Sequence, residues 1–343
     1  KSIEEIKKII NEPNLEIEFA IDNKNIIYIL QIRYVVLIGK NTNKINNNQL
    51  LISLYKLEKK ITKLQKKHYE ILGKTNYFGV MPDWNPAEII GTKPKTLSLS
   101  LYQELITNSV WANQRYNYGY RNITSYHLMT TFFGTPFIDI RIDFNSWIPR
   151  TLDDEISEKL INFYLKKLKS NKQFHDKIEF EIIYSSYNFS TEKRIKELLN
   201  NGFTPKEVNK IKYGLKKVNY ISINKISEDI NKINLLSSRI DKITKSKLHP
   251  IDKIYWLLED CKKYGTLPFA GLARCAFISI DILNSMANEK IISEIDKKNF
   301  LENLTTITNE IKYDYIKLKK KNFLKKYGHL RPNTYEINSL NYR

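Results

Sequence analysis

Beyond residue 190 the chain repeats apolar residues at helical spacing almost without a break. Candidate helices follow one another at 191–200, 205–218, 227–244, 250–264, 269–286 and 293–321. A chain patterned this way must build much of its interior by packing helix against helix. Only the tail, 327–343, loses the pattern and reads as irregular.

The first half is mixed. Residues 49–72 place Leu51, Leu54, Tyr55, Ile61, Leu64 and Ile71 at helical spacing and predict one long amphipathic helix. Residues 73–95, rich in Pro, Gly and aromatics, predict an ordered loop, and 97–114 a helix. Strict alternation predicts strands at 137–144 and 177–184, with a helix at 153–168 between them. At the start, LEIEFAIDNKNIIYILQIR (15–33) alternates Leu15, Ile17, Phe19 and Ile21 with Glu16, Glu18, Ala20 and Asp22. Turn residues Asp22–Asn25 follow. The returning run brings Gln31 and Arg33 onto one face. A hairpin alone is marginal, so partner strands are expected before residue 1. The polar stretch GKNTNKINNN (39–48) reads as a linker. The expectation is an α+β fold, predominantly helical, with a small sheet and long helices. The domains expected are 1–38, a linker at 39–48, and 49–343.

With 343 residues, 42% hydrophobic and 12% aromatic, the chain is long and apolar enough for two or three cores. No single apolar run reaches the length of a bilayer span, and no secretory leader pattern opens the chain, which predicts a cytoplasmic protein. Two cysteines, Cys261 and Cys275, make no disulfide framework or zinc knuckle and fit a reducing compartment. The net charge of +19 comes from Lys spread along helices and mixed with Glu and Asp. Without an arginine-rich arm or RNA-recognition motif, it argues against nucleic acid and leaves room for phosphorylated substrates.

Several constellations could carry chemistry. In FIDIRIDFNS (137–146) the strand reading puts Asp139, Arg141, Asp143 and Asn145 on one face. The next predicted strand sets Lys177, Glu179 and Glu181 on one face, and pairing would give an Arg/Lys–carboxylate network. A solvated sheet face would show the same pattern. WANQRYNYGYR (111–121) can present Arg115 and Arg121 between aromatic rings, or pack on the core as an aromatic helix end. GTLPFAGLAR (265–274) could open a helix whose N-terminus binds anions, or simply turn between helices. YGHLRPNTY (327–335) carries His329 and Arg331, and His175 precedes a predicted strand. Scattered histidines give no metal site. Glu18, Gln31 and Arg33 suit a magnesium–nucleotide site, or an edge hairpin whose polar residues face water.

Together these phrases resemble the phosphoenolpyruvate synthase and pyruvate phosphate dikinase family. IEFAID…YILQIR resembles the last hairpin of its ATP-grasp domain. There the resemblance gives Glu18 to magnesium–ATP and Gln31 and Arg33 to nucleotide phosphates. Where the family usually has Pro after the Arg, this chain has Tyr34. MPDWNPAEIIG (81–91), SLYQELI (100–106), QRYNYGYR (114–121), FIDIRIDFNSWIP (137–149), HDKIEFEI (175–182), GTLPFAGLAR (265–274) and KYGHLRPNTYEI (326–337) resemble a branch from surface-polysaccharide gene clusters. The resemblance implies a relay. ATP, with Mg2+, phosphorylates a His on a swivelling domain, and that phosphohistidine serves an acceptor held by this segment. The implied acceptor is the amide nitrogen of L-glutamine, for capsular phosphoramidate synthesis. The rest of the ATP-grasp domain and the phosphohistidine domain are expected on the same polypeptide, so the chain alone is expected not to turn over.

A zwitterionic amino acid needs a cation and an acid. Arg115, Arg121, Arg141 and Arg274 can supply the first, and Asp139, Asp143, Glu179 and Glu181 the second, with Asn145 beside them. His329 or Asp143 would take the amide proton, and Arg331 would hold the transferring phosphoryl. Two other classes compete. One is a related kinase of another small molecule, such as an antibiotic or alcohol. The other is a basic scaffold binding anionic polysaccharide or nucleic acid.

Overall fold

The structure, a computed structural model, describes residues 2–11, 15–34, 46–330 and 341–342. It divides into two compact units: Lys1–Lys56 with Glu310–Arg343, and Leu57–Asn309. The fold is α+β and predominantly helical, with two small sheets beside long helices. The predicted linker falls mostly, and Arg331 wholly, outside the described residues.

The first unit contains the predicted hairpin, β1 (Leu15–Ile21) and β2 (Ile27–Tyr34), paired antiparallel with Glu18 opposite Gln31 and Glu16 opposite Arg33. Asp22 sets the turn by accepting the backbone N–H groups of Lys24 and Ile26, both at 2.9 Å. The helix Ser2–Ile10 precedes the hairpin and was not foreseen. Toward the other end, Lys326 ties Glu310 and Asp314 together at 2.5 and 2.8 Å, and the Tyr327 hydroxyl donates to Asp314. The exposed His329 follows.

The second unit holds the sheet β3 (Phe78–Gly79), β4 (Met129–Phe132) and β5 (Thr135–Asp139), in the order β3-β5-β4. Trp111, Tyr120, Leu128, Ile138, Phe144, Ile148, Leu160 and Ile161 form its core.

Both predicted charged strands are corrected. β5 stops at Asp139, and Ile140–Ser146 is a short helix. Asp139 starts it by accepting the Ile142 N–H at 3.0 Å, an N-cap that alternation alone does not reveal. Packing buries nearly every side of this helix, so its polar residues do not share an exposed face. Residues 178–182 form a π-helical turn in which Ile178 and Ile182 are buried together. They could not join β5, because β3 and β4 already occupy both of its edges.

The predicted helix 49–72 ends at Gln65. The pairs 205–218 with 227–244, and 250–264 with 269–286, are each one continuous helix: Pro205–Lys245 and Pro250–Asn288. These two pack antiparallel. Contacts along one run up as those along the other run down: Arg239 with Asp260, Asp229 beside Gly271, Ser222 with Cys275. Arg239 grips Asp260 with two N–H donors at 2.7 and 2.8 Å. The second helix passes Pro268 through a π-helical stretch, Cys261–Thr266. That geometry absorbs a ring with no N–H to donate. Hence no free helix N-terminus exists at 265–268, and the anion site considered there is withdrawn. Fused, Pro250–Asn288 is long and apolar enough to cross a membrane by length and composition, a run hidden when Gly265 and Pro268 are taken as breaks. Its Asp260 and Arg274 are buried and ion-paired within the unit.

Gly271 lets the two helices and the end of Val110–Asn117 meet. The Tyr118 hydroxyl donates to Asp229 at 2.6 Å directly beneath it, and a Cβ at 271 would stand closer than 3.0 Å to both groups. Burial raises the pKa of both Tyr118 and Asp229. Gly271→Ala should therefore destabilise the protein by about 1–3 kcal/mol through overpacking. Urea denaturation measures this, and a midpoint unchanged from wild type would show that the helices yield.

Candidate functional site

A cavity of about 430 Å3 opens in the second unit between the 81–89 loop, the helix Val110–Asn117, the helix Ile140–Ser146, the 176–180 turn and the helix beginning at Leu267. Local sequence chemistry builds each wall.

In MPDWNPAEIIG, Trp84 and Asn85 take positive φ of 62° and 32°. Asn85 then caps Pro86–Ile89 by accepting the Glu88 N–H at 3.2 Å. Two consecutive non-glycine residues in the left-handed region cost free energy and commonly mark functional loops. The result places Asp83 against Arg115, with Arg115 Nη2 2.7 Å from Asp83 Oδ2.

In QRYNYGYR, Gly119 at φ 97° closes the helix. The Tyr120 N–H returns to the Arg115 carbonyl and the Gly119 N–H to that of Tyr116, both at 3.1 Å. This turn sends the two arginines apart. Arg115 lines the cavity, whereas Arg121 pairs with Asp154 outside it.

Trp147 joins the walls. The Arg115 guanidinium carbon lies 3.4 Å from its ring centre and that of Arg274 at 4.9 Å. Its indole N–H donates to Asp143 Oδ1 at 2.9 Å. Arg274 also pairs with Glu179 and donates to Ser185 Oγ at 3.3 Å. Phe180, Phe269 and Phe277 supply an apolar side, with Phe180 and Phe277 centred 5.7 Å apart.

Three donors on these lining residues find no hydrogen-bond partner, Gln114 Nε2, Arg115 Nε and Arg274 Nε, and Asp143 Oδ2 has none but the Asp83 carboxyl, with which a proton must be shared. Buried polar groups are ordinarily satisfied. Three unpartnered donors and one carboxylate oxygen thus gather around one cavity. Burial, and then the charge of Asp83, push the Asp143 carboxyl well above the usual carboxylate range. A retained proton is what allows two carboxylates to stand together here. Burial, and the like charge of Arg115, pull the Arg274 guanidinium down from its ordinary value.

Thus Arg115, Asp143, Glu179 and Arg274, all nominated from sequence, line one cavity. Asp139, Arg141 and Asn145 do not. Asp139 caps its helix and accepts from Asn76 at 2.8 Å. Arg141 donates to the Leu64 and Lys66 carbonyls at 2.9 Å, closing the end of the helix Asn47–Gln65. Asn145 accepts from the Leu72 N–H and donates to the Leu72 carbonyl. These three hold the loop 64–76 against the core.

Glu18, Gln31 and His329 belong to the other unit, where Arg33 has its backbone place in β2. In the hairpin Glu18 stands opposite Gln31, and among the described residues no three His, Cys, Asp or Glu converge as a metal cluster.

Asp83, Gln114 and Trp147 were missed. All three stood inside phrases singled out from the sequence, but only their meeting in space reveals them. No protein-family model matches this chain, nor does any curated protein or solved structure.

The Asp143 shift has a measurable consequence. The folded state keeps a proton that an unfolded carboxyl, with its ordinary value of 3.8, releases. Folding therefore loses stability as pH rises through the range between the two values. Asp143→Asn abolishes that loss. Its melting temperature should gain on wild type as pH rises above about 4, and parallel curves would contradict the shift.

Proposed function

We propose that this chain is the acceptor-substrate part of an ATP-dependent phosphotransferase that works through a phosphohistidine relay, with the cavity around Trp147 holding the acceptor. The observation that carries the reading is the set of unpartnered donors of Gln114, Arg115 and Arg274 beside Asp143. Such a site suits a small polar molecule with a carboxylate or carbonyl for the donors and a protic group for the acid pair. The volume, about 430 Å3, falls in the range of small-ligand pockets.

Following the family resemblance, the acceptor is L-glutamine and the product serves capsule phosphoramidate synthesis in the cytoplasm. Its carboxylate meets Arg115 or Arg274, and its methylenes rest on Phe269 and Phe277. In the transfer step the amide nitrogen attacks phosphorus and the N–P bond to the donor imidazole breaks. Asp143 first releases to solvent the proton it holds at rest; the amide nitrogen then gives up one proton to the Asp143 carboxylate, and the imidazole leaves with the bonding pair. High basicity, the counterpart of the raised pKa, suits Asp143 to that task. ATP and Mg2+ belong to the donor side, supplied by the ATP-binding and phosphohistidine modules that the resemblance implies. His329 and Arg331 keep their transfer roles on side-chain chemistry alone, a proton acceptor and a phosphoryl-binding cation.

Calorimetry on this chain should show L-glutamine binding that Arg274→Met weakens by about tenfold or more. Joined to its donor modules with ATP and Mg2+, the protein should give a product with an N–P bond by phosphorus NMR. Asp143→Asn should lower that rate by about 10²–10⁴-fold. An O–P product, with L-glutamine untouched, would replace this acceptor with an alcohol.

A further inference from the structure

A second cavity lies in the same unit and shares only Pro82 with the first. It measures about 200 Å3. Its floor is apolar: Ile140 and Leu168 are buried beneath it, with Phe78 at the wall. Its rim is cationic: Lys169, Lys172 and His175 surround the opening.

These charges differ from those of two other lysines nearby. On the same helix, Lys159 pairs with Glu207 at 2.8 Å and Lys167 with Glu197 at 2.9 Å. Among the described residues Lys169, Lys172 and His175 have no carboxylate partner. Two fixed positive charges and an imidazole thus ring an apolar hollow with no anion to answer them.

We propose that this cavity binds a second small molecule: a single aromatic or branched apolar body carrying one oxyanion, carboxylate or phosphate. Size sets the first half of that description. A cavity of about 150 Å3 holds a benzene ring, so this one admits a ring and its substituent but no larger scaffold. Chemistry sets the second. The ring leaves water for Ile140, Leu168 and Phe78, while the oxyanion stays at the mouth, where the two ammonium groups and the imidazole N–H reach it. Neither half suffices alone: phosphate gains nothing from the floor, and a neutral ring gains nothing from the rim. The site stands independently of the acceptor reading.

The test uses the whole chain and phenyl phosphate as probe, followed by calorimetry at fixed pH. Phenyl phosphate should bind at least about tenfold more tightly than either inorganic phosphate or phenol. The double variant Lys169→Ala/Lys172→Ala should weaken it by about tenfold, and Lys169→Arg/Lys172→Arg should restore it. Phe277→Ala, in the other cavity, should leave it unchanged. Near-UV circular dichroism confirms that each variant is folded. Equal affinity for phenyl phosphate and inorganic phosphate overturns the proposal. So does binding that survives the double alanine variant, or binding lost in Phe277→Ala.

Discussion

One indole ring organises the candidate site. Trp147 lies under two guanidinium groups, Arg115 and Arg274, and its N–H fixes Asp143. Bringing two like charges out of water costs several kcal/mol each. The structure offsets that cost in three ways at once. Each arginine has its own carboxylate, Asp83 or Glu179. Each also interacts with the electron-rich ring face, worth about 0.5–2 kcal/mol per contact. Asp143 keeps its proton, so a third negative charge does not compete. Remove the ring and the two arginines lose a common neighbour while Asp143 loses its donor. Loop, helix and turn then no longer share a reason to converge.

Much of this was legible in the sequence, but unevenly. Helical periodicity found the long segments, and the hairpin emerged from alternation with Asp22 at its turn. Alternation failed at 140–146 and 178–182, and for one reason. Both segments curl into short helical turns, so residues that alternate in sequence do not alternate between a buried and an exposed side: all but Ile142 are buried in the first, and Ile178 and Ile182, four apart, in the second. Asp139 as a cap was the local sign of a helix, and it was read as part of a charged row. Among the site residues, the arginines of QRYNYGYR and GTLPFAGLAR stood out by type. What separates Arg115 from Arg121 is the sign of φ at Gly119, which composition does not disclose. Arg141 was the reverse error. It has the chemistry of a ligand-binding residue but serves two backbone carbonyls at a helix end.

The two cavities also show how one fold divides its cations. In the first, arginines are buried, stacked and paired, so a ligand must fit between existing bonds. In the second, lysines stand at an open mouth over an apolar floor. The planar fork and the flexible ammonium each occupy the setting that suits them. Segment 172–180 contributes to both, with Lys172 and His175 on one side and Lys177 and Glu179 on the other.

The π-helical stretch Cys261–Thr266 sets the angular phase of everything after it. A π-turn holds one residue more than an α-turn, and each α-helical residue turns the chain by about 100°. Phe269, Arg274 and Phe277 all lie downstream and face the first cavity. Their orientation is thus written as a count of residues before Pro268. Losing one residue there would leave a continuous, well-formed helix, yet rotate the far wall of the cavity away from Trp147.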